Sequence, residues 1–508
     1  MVPQHPDYLA RRSSGHKPKQ QFHLIGAEHR TAPLPYGAIE DVTHQRQPFS
    51  GMGLELLEKA LGLCPSGAQV NVTEKQGTVG AEPAGACSPR MAGSAVAMVS
   101  TNSVSLHPTF DLAAKDAVET VGERLGKIAL TLAASILLLG APPEISSAQT
   151  RVVETEKGAL RLSVMARGLA QPWGVDILPD GAIIVTEKPG RLRIVDQEGN
   201  LSAPLAGVPP VADEGQGGLL DVTVDPAFAG NRLLWLAYSE PAADGVNSTA
   251  VAQARLSSDG ATLEDVTVVF RQLPRYPGRL HFGARVVFAG DGTLFVTLGE
   301  RFRDRWRQQA QDLRSHLGKV VRLQPDGTAP GDNPFIGRDD ALPEIWSYGH
   351  RNVQGAAIHP ETGKLWISEH GPRGGDELNI PQPGGNYGWP LVSHGMEYSG
   401  RPVGRGHSRA PGLEDPIATW TPAIAPGGIA FYTSPELPGW QGNLLVSGLR
   451  ARALLRLELE GESVVHEERL LADEGQRIRD VAVAPDGVVY ALTDDEHDGR
   501  ILRLVPGG

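Results

Sequence analysis

Four stretches of the sequence carry side chains able to bind an anion and to move a proton. Gln216 lies in Glu214-Gly215-Gln216-Gly217-Gly218 and His281 in Leu280-His281-Phe282-Gly283. Arg351, Asn352 and Gln354 share Gly349-His350-Arg351-Asn352-Val353-Gln354-Gly355, and Arg477 and Arg479 share Gln476-Arg477-Ile478-Arg479-Asp480. Histidine is the side chain whose ordinary proton affinity suits acid–base work near neutral pH. Guanidinium groups pair carboxylates in a planar fork, and each charge-assisted bond contributes about 1.5–3 kcal/mol. Brought together, these residues would face a small polyanion with His281 beside it. Glu300, in Leu298-Gly299-Glu300, would either orient the His281 imidazole or pair at the surface with Arg301 or Arg303. Taken singly, a loop arginine is a solvated residue and a lone histidine a structural one. Convergence is what would make a site.

A second dense stretch reads Glu369-His370-Gly371-Pro372-Arg373-Gly374-Gly375-Asp376-Glu377-Leu378-Asn379, followed by Gly384-Gly385-Asn386-Tyr387-Gly388-Trp389-Pro390. Gly and Pro force irregular backbone whose carbonyls turn outward, while Asp376 and Glu377 add hard oxygen ligands. That donor set suits Ca²⁺ rather than zinc, although glycine-rich loops bearing acids are also common as plain turns.

Convergence of such distant loops requires a repeat, and one is present. A short apolar strand, a turn and a second strand recur with anchors near 174, 218, 284, 355, 428 and 480. Three of the turns read Pro179-Asp180-Gly181, Gly290-Asp291-Gly292 and Pro485-Asp486-Gly487, between alternating β-rich runs. Gly supplies the positive φ that such tight hairpins need. Spacings of roughly 45 to 75 residues fit four-stranded units with insertions in the later connections. The pattern predicts an all-β fold, a six-bladed β-propeller of four-stranded antiparallel blades, in preference to a pair of β-sandwiches. The last sheet is expected to close the ring by pairing with Leu160–Ala166. In that geometry each candidate residue enters a blade's inner strand, so the ring gathers them around one channel mouth.

The chain has 508 residues with 61 Gly and 40 Pro, about a fifth of the total against a usual share of about 12%. That favours turns and excludes a helical bundle. A net charge of −12 offers no general basic face to nucleic acid. Two cysteines exclude a disulfide framework and a cysteine zinc site. Residues 1–120 show no sustained period and are expected to be a disordered extension or a segment upstream of the true start, near Met98 or Val121. Residues 121–148 resemble a signal peptide: Arg124 and Lys127, the apolar run Ile128 to Gly140, then Pro142-Pro143 and Ser146-Ser147-Ala148. The run is shorter than a membrane-spanning helix requires. The exported chain would begin near Gln149, be periplasmic or secreted, have no integral membrane segment, and lack both Cys64 and Cys87. Residues 149–508 would form the propeller.

The motifs HFGARVVF, VTLGERFRD, GKVVRL with DNPF, IWSYGHRNVQG, EHGPRGGDELN, GGNYGWP, SGLRARALLRL and GQRIRDV resemble the soluble pyrroloquinoline-quinone (PQQ) dependent sugar dehydrogenases, particularly the aldose sugar dehydrogenase branch. The resemblance covers about Leu160 to Pro506. It implies PQQ, a tricarboxylate quinone, over the channel mouth, and oxidation of aldose sugars at the anomeric carbon to lactones. His281 would be the general base, with hydride passing to the quinone, and Arg351 would polarise a quinone oxygen. Gln216, His281, Arg351, Asn352, Gln354, Arg450, Arg477 and Arg479 would contact the cofactor. Carbonyls of Gly371 and Pro372 would hold a Ca²⁺, and Glu377 and Tyr387 resemble ligands of a second, structural one. Glu300, His370 and Arg450 stand where the glucose-specific branch has Asp, Gln and Lys, and Val353 where the family usually has Pro. Those departures imply a broad aldose range. The partners implied are an aldose and an electron acceptor the sequence does not identify. The competing classes are a calcium-dependent lactonase-type hydrolase and a non-catalytic propeller that binds another protein.

Overall fold

The computed structural model describes residues 150–507, together with the backbone of a separate antiparallel hairpin formed by Val70–Lys75 and Thr78–Pro83. The expectations for the extension and the signal-like segment otherwise lie outside the described residues. The hairpin belongs to a compact unit of its own.

Residues 160–506 form six antiparallel sheets. Their first strands are Pro172–Ile177, Leu219–Val224, Gly283–Phe288, Val353–Ile358, Pro426–Phe431 and Ile478–Val483, taken here as opening blades 1 to 6. Each first strand packs against the next, and the sixth packs against the first, which closes the ring. Blades 2 to 5 have four strands; blade 1 has three plus a bridge from Val195 to Leu201. Blade 6 takes its fourth strand from the start of the domain. Leu160–Leu169 pairs with Gly499–Pro506 in antiparallel register, Leu162 opposite Leu504. Arg151–Val153 then adds a fifth strand at that edge. The ring closure expected from LRLSVMA is therefore present.

The turns form as their residues require. Gly181, Gly292 and Gly487 adopt φ of +85°, +83° and +83°. The preceding Asp carboxylates each accept the backbone N–H two residues on, from Ala182, Thr293 and Val488, at 3.0–3.1 Å. The second strands Ile183–Glu187, Leu294–Leu298, Leu365–Glu369, Leu444–Gly448 and Val489–Thr493 are buried along their whole length. A strand buried on both faces fits the interior of a stack of sheets. The apolar core is accordingly divided into layers at the blade interfaces. Ile184 shares a layer with Leu236 between blades 1 and 2, Trp235 with Val296 between 2 and 3, and Trp440 with Leu502 between 5 and 6.

Because every first strand runs the same way, the connections entering blades and those linking second to third strands share one face. Hydrogen bonds between them show it: Leu219 N–H donates to the Lys188 carbonyl at 3.0 Å, Glu300 N–H to Arg351 at 3.0 Å, and Gln171 N–H to Asp495 at 2.8 Å.

Candidate active site

On that face His281 sits in the connection entering blade 3, only 3% exposed and with φ +53°. Its backbone N–H donates to Gln216 Oε1 at 2.8 Å, which anchors the otherwise exposed Gln216 across the blade 2–3 boundary. His281 Nδ1 lies 2.8 Å from Glu300 Oε1. A carboxylate at that distance holds the proton on Nδ1 and leaves Nε2 as the basic nitrogen. Glu300 is buried, and its other oxygen accepts Phe302 N–H at 2.7 Å. Of the two partners open to Glu300, it lies against the imidazole; Arg301 turns away to Asn247 and to the Gly278 and Leu280 carbonyls. Burial, followed by the nearby Arg351, lowers the His281 pKa, and Glu300 opposes the shift. The shift favours the neutral imidazole, the form that can take a proton.

Arg351 precedes blade 4 and is buried beside the Trp389 ring, 5.2 Å from its centroid. Its Nη1 donates to the carbonyls of His370 (3.1 Å) and Gly371 (2.8 Å), and its Nη2 lies 3.4 Å from the Tyr398 hydroxyl. None of these partners is a carboxylate. Behind it, Glu369 accepts Arg351 backbone N–H at 2.8 Å and His350 Nδ1 at 2.9 Å, fixing the loop. Asn352 and Gln354 follow, the latter inside the first strand itself, and they approach each other at 3.3 Å. Gln354 Oε1 accepts Arg479 Nη1 at 3.3 Å. Arg479 and Arg477 share one carboxylate, Asp494. Arg450 is exposed on the blade 5 connection of the same face, held by its backbone N–H to the Ile424 carbonyl at 2.9 Å. Lys188 was not anticipated from sequence; its amine donates to the Gly215 carbonyl at 2.6 Å, and its pKa is lowered by burial and then by Arg479.

Buried donors without a partner include Arg351 Nε, Asn352 Nδ2 and Arg479 Nε. An unsatisfied buried donor is costly. Three of them beside Arg351, Arg477 and Arg479, which have the one carboxylate of Asp494 among them, fit an acceptor-rich polyanion, which is the chemistry of a tricarboxylate quinone.

All four residues expected at a metal, Gly371, Pro372, Glu377 and Tyr387, line one cavity of about 20 Å³, with Glu369, His370 and Trp389. That is room for a single ion or water. The Glu377 pKa is raised by burial and by its neighbours Glu369 and Asp376, so an added cation would relieve it. Among the described residues no three His, Cys, Asp or Glu side chains converge as a metal-binding group, so a cation would depend on carbonyl oxygens, a donor set that fits Ca²⁺. The Tyr387 hydroxyl is already committed, donating to Ile380 at 2.6 Å and accepting from Gln382 at 3.0 Å. His370 Nε2 lies 2.8 Å from the Pro426 carbonyl, and its pKa is pushed down to about 3 by burial, then by Arg351 and Arg479.

A feature the sequence reading missed lies in the inner strands. Arg285 Nη1 donates to Asp221 at 2.7 Å and Asp480 at 2.8 Å, its Nε donates to the Gln354 carbonyl at 2.9 Å, and its guanidinium lies over Trp173. A Cβ at Gly428 would overlap Asp480 and crowd Arg285. One buried ionic hub therefore touches the first strand, or the residues leading into it, of all six blades.

Strained backbone also gathers on this face. His281, Ala284, Arg301, Phe302 and Ala425 all have positive φ, at about 1–3 kcal/mol each for residues other than glycine.

A family profile described as glucose/sorbosone dehydrogenase matches residues 169–503. Aldose sugar dehydrogenase YliI of Escherichia coli is 46% identical over 350 residues, covering 68% of this chain and 93% of that protein. The apo structure of the soluble aldose sugar dehydrogenase from Escherichia coli superposes with a TM-score of 0.66 at 45% identity, covering 68% of this chain and 99% of that one. The PQQ-bound aldose sugar dehydrogenase from Streptomyces coelicolor gives a TM-score of 0.58 at 30% identity, with coverages of 72% and 99%. With a buried His–Glu pair and a half-satisfied ring of guanidinium groups at the mouth of a six-bladed ring, this chain belongs to the glucose/sorbosone dehydrogenase family.

Proposed function

We propose that the protein is a PQQ- and Ca²⁺-dependent dehydrogenase that oxidises aldoses at the anomeric carbon to lactones. The observation that carries this reading is the His281–Glu300 pair at 2.8 Å next to unpartnered donors of Arg351, Asn352 and Arg479. The PQQ bound in the Streptomyces coelicolor relative supports the cofactor.

Bound PQQ would supply an acceptor for the hydride leaving the sugar. The chain's residues do the rest. His281 Nε2 takes the proton of the anomeric hydroxyl, and Glu300, bonded to Nδ1, stabilises the imidazolium that forms. Arg351, fixed by the His370 and Gly371 carbonyls, would offer its charge to the acceptor without reorganising. Gln216, Asn352, Gln354, Arg450, Arg477 and Arg479 would hold the cofactor's carboxylates and ring edge. Gly371 and Pro372 carbonyls would hold Ca²⁺; Glu377 and Tyr387, which the resemblance gives to a second, structural Ca²⁺, line the same cavity. The natural electron acceptor is a separate partner. The signal-like segment at 121–148 supports export to the periplasm or medium, and among the described residues no helix is long and apolar enough to cross a membrane.

Reconstitution tests the reading. Protein mixed with PQQ and Ca²⁺ should reduce a dye with glucose, xylose, galactose or maltose and lose that activity on EDTA treatment. No dye reduction with any of the four sugars would defeat it.

A further inference from the structure

The net charge of the chain is −12, yet one side of the mouth runs against it. Arg303 and Arg305, in the connection after the second strand of blade 3, are exposed, as are Arg373 and Arg401 from two connections of blade 4. None of these four arginines meets a carboxylate among the described residues. The acids nearest them in the two insertions, Asp304 and Glu397, are both taken by Arg307, at 3.7 and 2.8 Å. Exposed Asp213, Glu214 and Glu496 lie on the connections of blades 2 and 6. The face is therefore polarised, with its unpaired arginines over blades 3 and 4. The same blade 4 insertion that carries Arg401 also exposes Leu391, Met396 and Tyr398, by 48%, 47% and 62%.

Contacts place these residues beside the reacting histidine. Phe302, the neighbour of Arg303, stands edge-on to the His281 imidazole with ring centroids 5.1 Å apart. The blade 4 insertion climbs back to this face along blade 3, where Gly384 and Tyr387 N–H donate to the Trp346 and Tyr348 carbonyls at 2.7 and 2.8 Å. At the top, Met396 exchanges backbone hydrogen bonds with Arg373, and Glu397 N–H donates to the Arg401 carbonyl at 2.9 Å. The Tyr398 hydroxyl lies 3.4 Å from Arg351 Nη2. The insertion is thus anchored, and it presents its apolar side chains on a fixed backbone. An apolar patch rimmed by charge of one sign has the anatomy of a docking surface. Unpaired arginines around it set the sign of the partner.

We propose that this side of the mouth docks an acidic electron-carrier protein, steered by Arg303, Arg305, Arg373 and Arg401 and seated on Leu391, Met396 and Tyr398. This rests on the dehydrogenase reading above. Each aldose oxidised to a lactone leaves two electrons and two protons behind. A one-electron carrier takes the electrons in two successive encounters, its own centre being reduced each time, and the protons pass to water. Two encounters per turnover call for fast association and easy release. Rim charge supplies the first by steering, and a small apolar seat permits the second. Exposed charges act over about 8 Å at physiological salt and about 30 Å at 0.01 M, so the docking step should weaken steeply as salt is added.

The test follows holoenzyme with saturating glucose as it reduces three acceptors: plastocyanin, an acidic one-electron protein; cytochrome c, a basic one; and benzoquinone, which is small and neutral. At low salt plastocyanin should react about tenfold faster than cytochrome c, and the advantage should vanish at high salt. Arg303→Glu and Arg401→Glu should each slow plastocyanin about threefold and together about tenfold, with benzoquinone unaffected. Met396→Ser should slow it at every salt concentration. Arg161→Glu reverses an exposed charge at the end of its strand remote from the mouth and should change nothing. A plastocyanin rate indifferent to salt and to the arginine variants overturns the proposal, as does a preference for cytochrome c. An equal loss in Arg161→Glu would assign the effect to net charge, and an equal loss with benzoquinone to damage at the site; either overturns it. An unchanged rate in Met396→Ser overturns the apolar seat. Sedimentation with phosphatidylglycerol vesicles that the double variant abolishes, while plastocyanin reduction holds, would give the face to a lipid surface and overturn the proposal. A wild-type holoenzyme that reduces not even benzoquinone would instead defeat the dehydrogenase reading, and the docking with it.

Discussion

Arginines at neighbouring levels of the same channel are treated in opposite ways: buried Arg285 in the hub, and Arg351, Arg479 and the exposed Arg477 at the mouth. In the hub, Arg285 meets two carboxylates, Asp221 and Asp480, so its charge is more than balanced. At the mouth, Arg351 meets only carbonyls and a hydroxyl, while Arg477 and Arg479 divide a single Asp494. The residue type is the same; the difference is whether the fold supplies the anion. Where it does, the arginine is structural. Where it does not, the guanidinium is left waiting for charge from outside.

The largest effect expected on this contrast is at the mouth. His281→Ala should keep cofactor binding and lower turnover by about 10²–10⁴, measured as dye reduction at saturating sugar. Next comes the hub. Arg285→Met leaves two buried carboxylates uncompensated, at about 3–5 kcal/mol, read as a lowered Tm. Neutralising Asp221 and Asp480 to Asn in the same chain should recover much of it. Arg351→Met should show the mirror image, with Tm nearly unchanged and PQQ binding weakened about 10- to 150-fold. If Arg351→Met melts the protein while Arg285→Met does not, the contrast is wrong.

A smaller effect sharpens the base assignment through pH. The His281 pKa is lowered by burial and Arg351 and supported by Glu300. Protonation removes the base, so kcat/KM should be flat near neutrality and fall on acidification below the ordinary histidine value of about 6.5. Glu300→Gln removes the group that raises the pKa. The acid limb should move to still lower pH as the plateau rate drops. A limb that moves up instead would remove Glu300 from the pair. Smallest of all, Lys188→Ala should weaken PQQ binding about threefold, as befits a single partly screened cation.

The hub was legible in principle. Asp221, Arg285 and Asp480 occur within the first strands of three repeats, in LLDV, GARV and IRDV. A charge in a strand otherwise built for burial is a signal, but only the ring shows which charges meet. The ring itself could be read, because hairpin turns and alternating runs recur and each local choice agrees with the same sheet. The residues entering the blades were found for the same reason: their position in a repeat fixes their place in space. His281 with Glu300 could be named as a pair yet not separated from Glu300 with Arg301, since both partners are within reach along the chain. Phe302, Trp389 and Tyr398 escaped because they sit in insertions with no period, where sequence spacing carries no geometry. The short Ala418–Trp420 strand and the single cavity shared by Gly371, Pro372, Glu377 and Tyr387 likewise depend on how long loops fold back.

Closure of the ring by Leu160–Leu169 on Gly499–Pro506 also has a kinetic side. Leu160–Leu169, made early, has its inner partner in the strand made last, so during synthesis that side of it stays an unpaired edge until the chain is almost complete. Pairings this distant in sequence are slow to form, and an open edge invites pairing with another chain. A chain ending before Gly499 would lose the latch rather than a tail, and blade 6 would gain two open edges, on Val489–Thr493 and on Leu160–Leu169. Aggregation yield on refolding, compared between the full and shortened chains, would register that latch as a folding step in its own right.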